Sequence, residues 1–112
     1  MRRSEFYKSL DKRIERTKET FGAKNEEYAT DYNFMRNFDN GVGMSLHCTP
    51  EAVAWGYATK HLESIRSIIL DVDNSNGTQL PTEERIIEKF GDAINYLIII
   101  EAMLLEREAR RA

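Results

Sequence analysis

The stretch of sequence that decides the fold runs Glu84-Arg85-Ile86-Ile87-Glu88-Lys89-Phe90-Gly91-Asp92-Ala93-Ile94-Asn95-Tyr96-Leu97-Ile98-Ile99-Ile100. On a helix that advances about 100° per residue, its acidic and amide side chains share a sector of roughly 80°. They are Glu84, Glu88, Asp92 and Asn95. The opposite side is apolar and is formed by Ile86, Phe90, Ala93, Ile94, Leu97 and Leu104. The pattern therefore predicts an amphipathic helix.

Beyond Asn95 the polar sector itself becomes apolar, at Ile99, Ala102 and Met103. This half of the helix is therefore expected to be buried on every side. Asp92 and Asn95 lie where the polar stripe meets packed surroundings. A buried carboxylate needs a partner, and a metal ion, a lysine or a ligand would each serve.

Glu101 is the exception on the apolar side of the same helix, where it lies beside Leu97 and Leu104. A carboxylate in an apolar sector needs a reason. A subunit contact or a cation from a neighbouring helix would explain it.

The composition indicates one helical domain over residues 1–112. The apolar fraction of 41% and the charged fraction of 31% are typical of a globular protein, and the 2 prolines leave room for long helices. A single core is marginal at 112 residues if every apolar face must be buried within one chain. We therefore expect an oligomer, a homodimer or a homotetramer.

Charge and cysteine content narrow the function classes. A net charge of −3 argues against nucleic acid as the partner, because that affinity comes from clustered lysine and arginine. The single Cys48 and the lack of a hydrophobic signal after Met1 predict a cytoplasmic location. The apolar run near residue 93 is interrupted by Asn95 and Glu101 and is shorter than a membrane span, so no membrane association is expected.

The helical periodicity predicts an all-α bundle of three main helices, at about 4–29, 50–70 and 82–109. The buried stripe of the first helix is Phe6, Leu10, Ile14, Thr17 and Phe21. Gly22 weakens or ends this helix. The stripe of the second is Ala54, Ala58, Leu62, Ile65 and Ile69.

Capping residues locate the starts of the second and third helices. Thr49 is followed by Pro50, and Thr82 is followed by two glutamates, which are the residues favoured at an N-cap and in a first turn. Residues 30–48 are predicted to form an ordered loop or a short helix, with a turn at Asp39-Asn40-Gly41.

The alternating carboxylates of residues 71–77 are not interpreted as a calcium loop. The sharp-turn position holds Asn76 instead of glycine, and the twelfth position holds Thr82 instead of a bidentate glutamate. A turn is predicted there. His61, His47 and Cys48 lack the spacing of a zinc site, so His61 is expected to be a partly buried histidine with a polar partner.

The remaining polar residues are expected to converge between helices. They are Lys24, Asn25, Glu27, Tyr28, Asn37, Lys60, Ser64, Glu88, Asp92, Asn95 and Tyr96. Glu88 and Asp92 are one turn apart, a spacing at which two carboxylates share a cation such as Mg²⁺. The alternative is that Glu88 is solvated and Asp92 forms a structural bridge with a lysine or an asparagine.

Four short motifs, taken in order, resemble a known family. They are Lys24-Asn25-Glu26-Glu27-Tyr28, Asn37-Phe38, the helix that carries Lys60, and Glu88 to Leu97 with its Asp92-Ala93-Ile94-Asn95-Tyr96. Residues 88–97 resemble the third core helix of the all-α NTP pyrophosphohydrolases, the MazG-like superfamily. The full set is similar to small phage and prophage proteins related to that group.

The resemblance implies an oligomeric helical bundle that binds Mg²⁺ and cleaves nucleoside triphosphates to the monophosphate and pyrophosphate. The chain departs from the family pattern in two places. Its second core helix lacks the Glu-x-x-Glu pair and offers Lys60, Glu63 and Ser64, and Lys89 replaces the second glutamate of the third helix. The implied metal site is therefore reduced to Glu88 and Asp92, with Glu27 or Glu63 as additions.

The resulting hypothesis is a phage-type nucleotide-binding protein with altered or impaired pyrophosphohydrolysis. Glu88 and Asp92 are the candidate metal-ligating and catalytic residues. Candidate ligand-binding roles fall to Lys24 and Lys60 for phosphate, Asn37 and Asn95 for base or sugar, and Tyr28 or Tyr96 for stacking, with Asn25 and Ser64 nearby. The alternative is a non-enzymatic oligomeric accessory protein that binds a host or phage protein.

Overall fold

The computed structural model describes residues 1–28, 36–44 and 46–111, with side chains described for 1–22, 38–42 and 46–111. These residues form four helices: α1 (Arg3–Tyr28), α2 (Arg36–Met44), α3 (Pro50–Asn74) and α4 (Glu83–Arg110). The ranges contain no strand, which confirms the all-α prediction. None of the described helices is apolar enough over a sufficient length to cross a bilayer.

The chain divides into two compact units, Met1–Arg36 and Asn37–Ala112. The first unit contains α1, which has 26 residues and passes through Gly22 without a break. The helix therefore does not end at Gly22, and that part of the prediction is wrong. One interior glycine costs about 1 kcal/mol, which a helix of this length tolerates.

The second unit is built on α3 and α4, and both helices begin where the capping residues predicted. The Thr49 hydroxyl accepts a hydrogen bond from the Ala52 amide at 3.2 Å, and the Thr82 hydroxyl accepts one from the Arg85 amide at 3.1 Å. Each cap satisfies an amide that has no partner within its helix.

The end of α3 lies four residues later than predicted, at Asn74. Asn76 (φ 54°) and Gly77 (φ 82°) both have left-handed backbone conformations. The Gly77 amide donates to the Val72 carbonyl at 2.8 Å, and the Asn76 amide donates to the Asp73 carbonyl at 3.0 Å. These two bonds form a Schellman cap. The predicted turn is present at residues 75–77, and Asp71 and Asp73 belong to the helix.

α3 and α4 pack antiparallel along one seam. The direction follows from two contacts: Glu51 near the start of α3 bonds Arg107 near the end of α4, and His61 stacks on Tyr96 midway. The seam residues are Ala54, Ala58, His61, Ile65, Ile68 and Val72 of α3 and Lys89, Ala93, Tyr96, Ile100, Met103 and Arg107 of α4. All except Arg107 are buried or half-buried. Their alternating spacing of four and three residues is that of a coiled coil.

The seam corrects the predicted stripe of α3 at its far end. Ile68 is 4% exposed, whereas Ile69, which was expected in the core, is 55% exposed. A wheel drawn at 3.6 residues per turn drifts by about 20° per heptad from the 3.5-residue period that a partner helix imposes. Over the two heptads that follow Ala54, this drift places Ile68 in the seam, where the wheel had placed Ile69.

Residues 30–48 were predicted to form an ordered loop or a short helix with a turn at Asp39-Asn40-Gly41, but these three residues lie within the helix α2. The turn prediction is wrong because a tertiary contact outweighs the local signal. A Cβ built on Gly41 would lie 2.7 Å from Val53 Cγ1, so the α2 backbone lies against α3 and a larger residue at position 41 would force Val53 to shift.

Candidate functional site

The polar and aromatic side chains of the second unit meet in one group, which we call the His61 cluster: Phe38, Tyr57, His61, Asp92 and Tyr96. The His61 ring stacks on Tyr96, with centroids 5.2 Å apart and planes inclined by 19°. His61 Nδ1 lies 3.6 Å from Asp92 Oδ2. Since the two side chains are 27% and 39% exposed, a ligand in solvent can reach the pair.

Three aromatic rings surround this pair. The ring centroids of Phe38 and Tyr57 are 6.3 Å apart, those of Phe38 and Tyr96 are 6.2 Å apart, and those of Tyr57 and Tyr96 are 6.0 Å apart. These separations lie in the range of favourable aromatic pairs. Tyr57 remains 45% exposed, so the cluster offers solvent an aromatic ring that is supported by other rings.

The surroundings of Tyr96 disfavour ionisation of its hydroxyl group. The pKa of Tyr96 is raised above its ordinary value of 10.0, first by burial and then by the neighbouring Tyr57 and Asp92 groups. Tyr96 therefore keeps its hydroxyl proton at physiological pH and is a potential hydrogen-bond donor.

Asn95 lies beside the cluster on α4. Its Oδ1 atom is buried and has no hydrogen-bond donor among the residues that the structure describes. An unsatisfied buried carbonyl oxygen costs about 1–3 kcal/mol, so it favours the arrival of a donor. A water molecule or a ligand amine would satisfy it.

The predicted metal ligands are brought together only in part. Asp92 lies against His61, and Glu88 is one turn away, 60% exposed, with Oε1 3.8 Å from Lys89 Nζ. Within the described part of the chain, no three His, Cys, Asp or Glu side chains form a group that could hold a metal ion. Glu63 is exposed on α3 and does not join Glu88 and Asp92 in such a group. Two carboxylates alone fit an Mg²⁺ ion that keeps most of its waters and binds a ligand phosphate.

Lys60 and Ser64 follow Tyr57 on α3 at helical spacing, which places them on one side of the helix. Lys60 is exposed, and the Ser64 hydroxyl donates to the Lys60 carbonyl at 3.3 Å. The lysine head group is thus available to an anion, while the serine hydroxyl is engaged with its own helix.

Five predicted site residues lie outside the described side chains: Lys24, Asn25, Glu27, Tyr28 and Asn37. Their roles stay predictions. His61, by contrast, was predicted to be a partly buried histidine with a partner but was not included in the candidate site. The coiled-coil spacing of Ala54, Ala58 and Ile65 is the signal that could have placed it opposite Tyr96.

The Glu51–Arg107 ion pair lies apart from the cluster, at the end of the hairpin opposite the α3–α4 connection. The Arg107 guanidinium donates a hydrogen bond to Glu51, which lowers the pKa of that carboxyl below its ordinary value of 4.5. The same contact raises the pKa of Arg107. This pair joins the first turn of α3 to the last turns of α4.

The chain matches no family model, no curated protein and no solved structure.

Proposed function

We propose that the His61 cluster binds a nucleotide or nucleoside phosphate. The observation that carries the proposal is the solvent-accessible group of an imidazole, a carboxylate and stacked aromatic rings on one side of the hairpin. Aromatic faces stack on nucleobases, and such stacking is worth about 1–3 kcal/mol per base.

Each part of a nucleotide has a group of suitable chemistry. Tyr57 offers its exposed ring to the base, and the Asn95 side chain would have to turn to bring its buried Oδ1 atom to an exocyclic amine as an acceptor. Lys60 is exposed for a phosphate, and Glu88 and Asp92 would hold Mg²⁺ through its waters. When bound, the metal would neutralise phosphate charge. The resemblance to MazG-like proteins extends the proposal to release of pyrophosphate from a nucleoside triphosphate.

The test is a thermal-shift panel of canonical and modified nucleotides, with and without Mg²⁺, followed by a pyrophosphate-release assay on any hit. A ligand at about 100 times its dissociation constant adds about 2.7 kcal/mol to the free energy of unfolding. Stabilisation that needs Mg²⁺ supports both the nucleotide site and the metal. Stabilisation without Mg²⁺ supports the nucleotide site and overturns the metal assignment.

Asp92→Asn is the decisive variant, and Asp73→Asn is its control. Both remove one carboxylate from a helix, but Asp73 is exposed at the end of α3 and lies outside the cluster. We expect Asp92→Asn to lose the Mg²⁺-dependent shift and Asp73→Asn to keep it. Retained binding in Asp92→Asn would overturn the assignment of Asp92.

The second candidate function is that of an accessory protein without enzymatic activity that binds another protein. It is favoured by exposed apolar side chains on α3 and α4, such as Trp55 and Leu105. This function predicts no nucleotide-dependent shift with any member of the panel.

A further inference from the structure

The side of the α3–α4 hairpin that faces away from α2 is apolar and exposed. α2 contacts α3 at Val53 and Tyr57, which lie a quarter turn around the helix axis from the seam residues. Residues a quarter turn from the seam in the opposite direction of rotation point away from α2. Because α3 and α4 are antiparallel, these residues of both helices lie on the same side of the hairpin. We call this side the Leu97 face: Trp55, Leu62 and Ile69 of α3 and Phe90, Leu97 and Leu104 of α4.

The Leu97 face offers the apolar centre of an interface. Trp55 (51%), Ile69 (55%), Leu97 (44%) and Leu104 (54%) are about half exposed, and Leu62 and Phe90 are half-buried. With the area of an aromatic side chain, roughly 150–250 Å², as an upper bound for each, the four exposed ones offer at most on the order of 400 Å². A standard interface takes about 800 Å² from each partner. The apolar centre alone therefore supplies at most about half of that area.

The face matches itself in three layers. Trp55, Leu62 and Ile69 are spaced by seven residues, as are Leu104, Leu97 and Phe90. The Glu51–Arg107 and His61–Tyr96 contacts show which residues of the two helices share a level along the hairpin. By that relation Trp55 is level with Leu104, Leu62 with Leu97, and Ile69 with Phe90.

We propose that a second copy of this chain covers the Leu97 face about a two-fold axis parallel to the helices, which forms a four-helix bundle. A rotation of 180° about this axis keeps every residue at its level and places α4 of the partner opposite α3. Each layer of α3 then packs on the matching layer of α4 of the partner, and all neighbouring helices are antiparallel, as in many four-helix bundles.

The same axis explains Glu101, the acidic residue of the apolar side. Glu101 lies one turn from Leu104, which is level with Trp55, and within one chain Glu101 and Trp55 lean toward opposite edges of the Leu97 face. The two-fold axis brings Glu101 of the partner subunit to the edge where Trp55 lies. The indole N–H of Trp55 is a donor without an acceptor function, and a carboxylate is a suitable partner for it. The contact occurs twice in the dimer.

Sedimentation equilibrium and the emission of Trp55, the chain's single tryptophan, test the dimer. We expect about twice the monomer mass at micromolar concentration, with an emission shift to longer wavelength upon dilution. Leu97→Asp should weaken association at least tenfold. Leu80→Asp, which changes an exposed leucine of the α3–α4 connection, should not. A monomer at every concentration overturns the proposal.

Disulfide cross-linking tests the arrangement and does not depend on whether Leu97→Asp folds. On a Cys48→Ser background, Leu62→Cys and Leu97→Cys chains are purified separately, mixed and oxidised mildly. The proposed axis predicts a heterodimeric disulfide in the mixture and little cross-linking of either chain alone. Cross-linking of Leu62→Cys with itself, or no cross-linking in the mixture, overturns the arrangement.

Discussion

The Nδ1 atom of His61 lies 3.6 Å from the Oδ2 atom of Asp92, and this contact joins the middle of α3 to the middle of α4. Both partners are partly exposed, so their mutual attraction is screened by water. The pair consequently positions functional groups more than it stabilises the hairpin.

The first prediction is that Asp92→Asn folds normally. Asp92 and His61 are partly exposed, and even a full ion pair at an exposed site contributes only about 0.2–1 kcal/mol, so the free energy of unfolding should fall by less than about 1 kcal/mol. Urea denaturation followed by helical circular dichroism measures this change. A loss of several kcal/mol would show that Asp92 is a structural residue and would remove it from the candidate site.

The second prediction concerns Tyr96 at high pH. Its pKa is raised, so the folded state holds the hydroxyl proton more tightly than the unfolded state does. This contribution to stability is complete below the unfolded pKa, near 10, and is lost as the pH rises through the folded pKa. Tyr96→Phe should be less sensitive to pH above about 10. In a pH titration followed by phenolate absorbance, the difference between the wild type and Tyr96→Phe should show that Tyr96 ionises at a higher pH than an ordinary tyrosine.

The third prediction contrasts two glycines. Gly41→Ala places a methyl group 2.7 Å from Val53 Cγ1 and should cost about 1–3 kcal/mol. Gly22→Ala meets no described atom within 4 Å and should stabilise α1 by about 0.5–1 kcal/mol. Thermal denaturation of both variants checks the contrast. Val53→Ala should reduce the cost of Gly41→Ala, and equal effects of the two glycine changes would contradict the described contact.

The fourth prediction concerns the Schellman cap. Asn76 has φ 54°, which costs most side-chain-bearing residues about 1–2 kcal/mol and glycine little. Asn76→Ala should therefore lower the melting temperature, whereas Asn76→Gly should keep or raise it. Substitutions at Gln79, which has ordinary backbone angles in the same connection, provide the control. If alanine and glycine at position 76 behave alike, the cap does not determine the end of α3.

The fifth prediction concerns Glu51 at low pH. Its pKa is lowered by the hydrogen bond from Arg107, so its contribution to stability is present above the unfolded pKa, near 4.5. The contribution is lost as the pH falls through the folded pKa. Glu51→Gln should be less stable than the wild type at neutral pH, and the difference should begin to shrink below the ordinary pKa of 4.5 and close below the folded pKa. A difference that is constant with pH would exclude the charged contact as its source.

Local signals predicted the elements that depend on neighbouring residues in sequence. The N-caps at Thr49 and Thr82 and the three long helices are of this kind, because a hydroxyl before a first turn acts within a few residues. What failed depended on other elements. The seam period that buries Ile68 is set by α4, and the helical conformation at Gly41 is favoured by its contact with Val53.

The site was predictable to the same extent. The polar sector of α4 identified Asp92 from periodicity, and Tyr96 was named with the other polar residues expected to converge between the helices. Their contact with His61 depends on how far α3 is displaced along α4, which is a property of the packing between the two helices, where Ala54 and Ala58 are buried. The helical wheel of one helix contains no information about the displacement between two helices.

The Schellman cap also has a consequence for the order of folding. It ends α3 so that only residues 75–82 separate α3 from α4, and closing a loop of this length takes on the order of 10–100 ns. Contacts between consecutive helices have low contact order, which is typical of fast folders. We therefore expect the hairpin to form before two chains meet, so that assembly joins preformed hairpins. Refolding should then show a fast phase that does not depend on protein concentration, followed by a slower one that does.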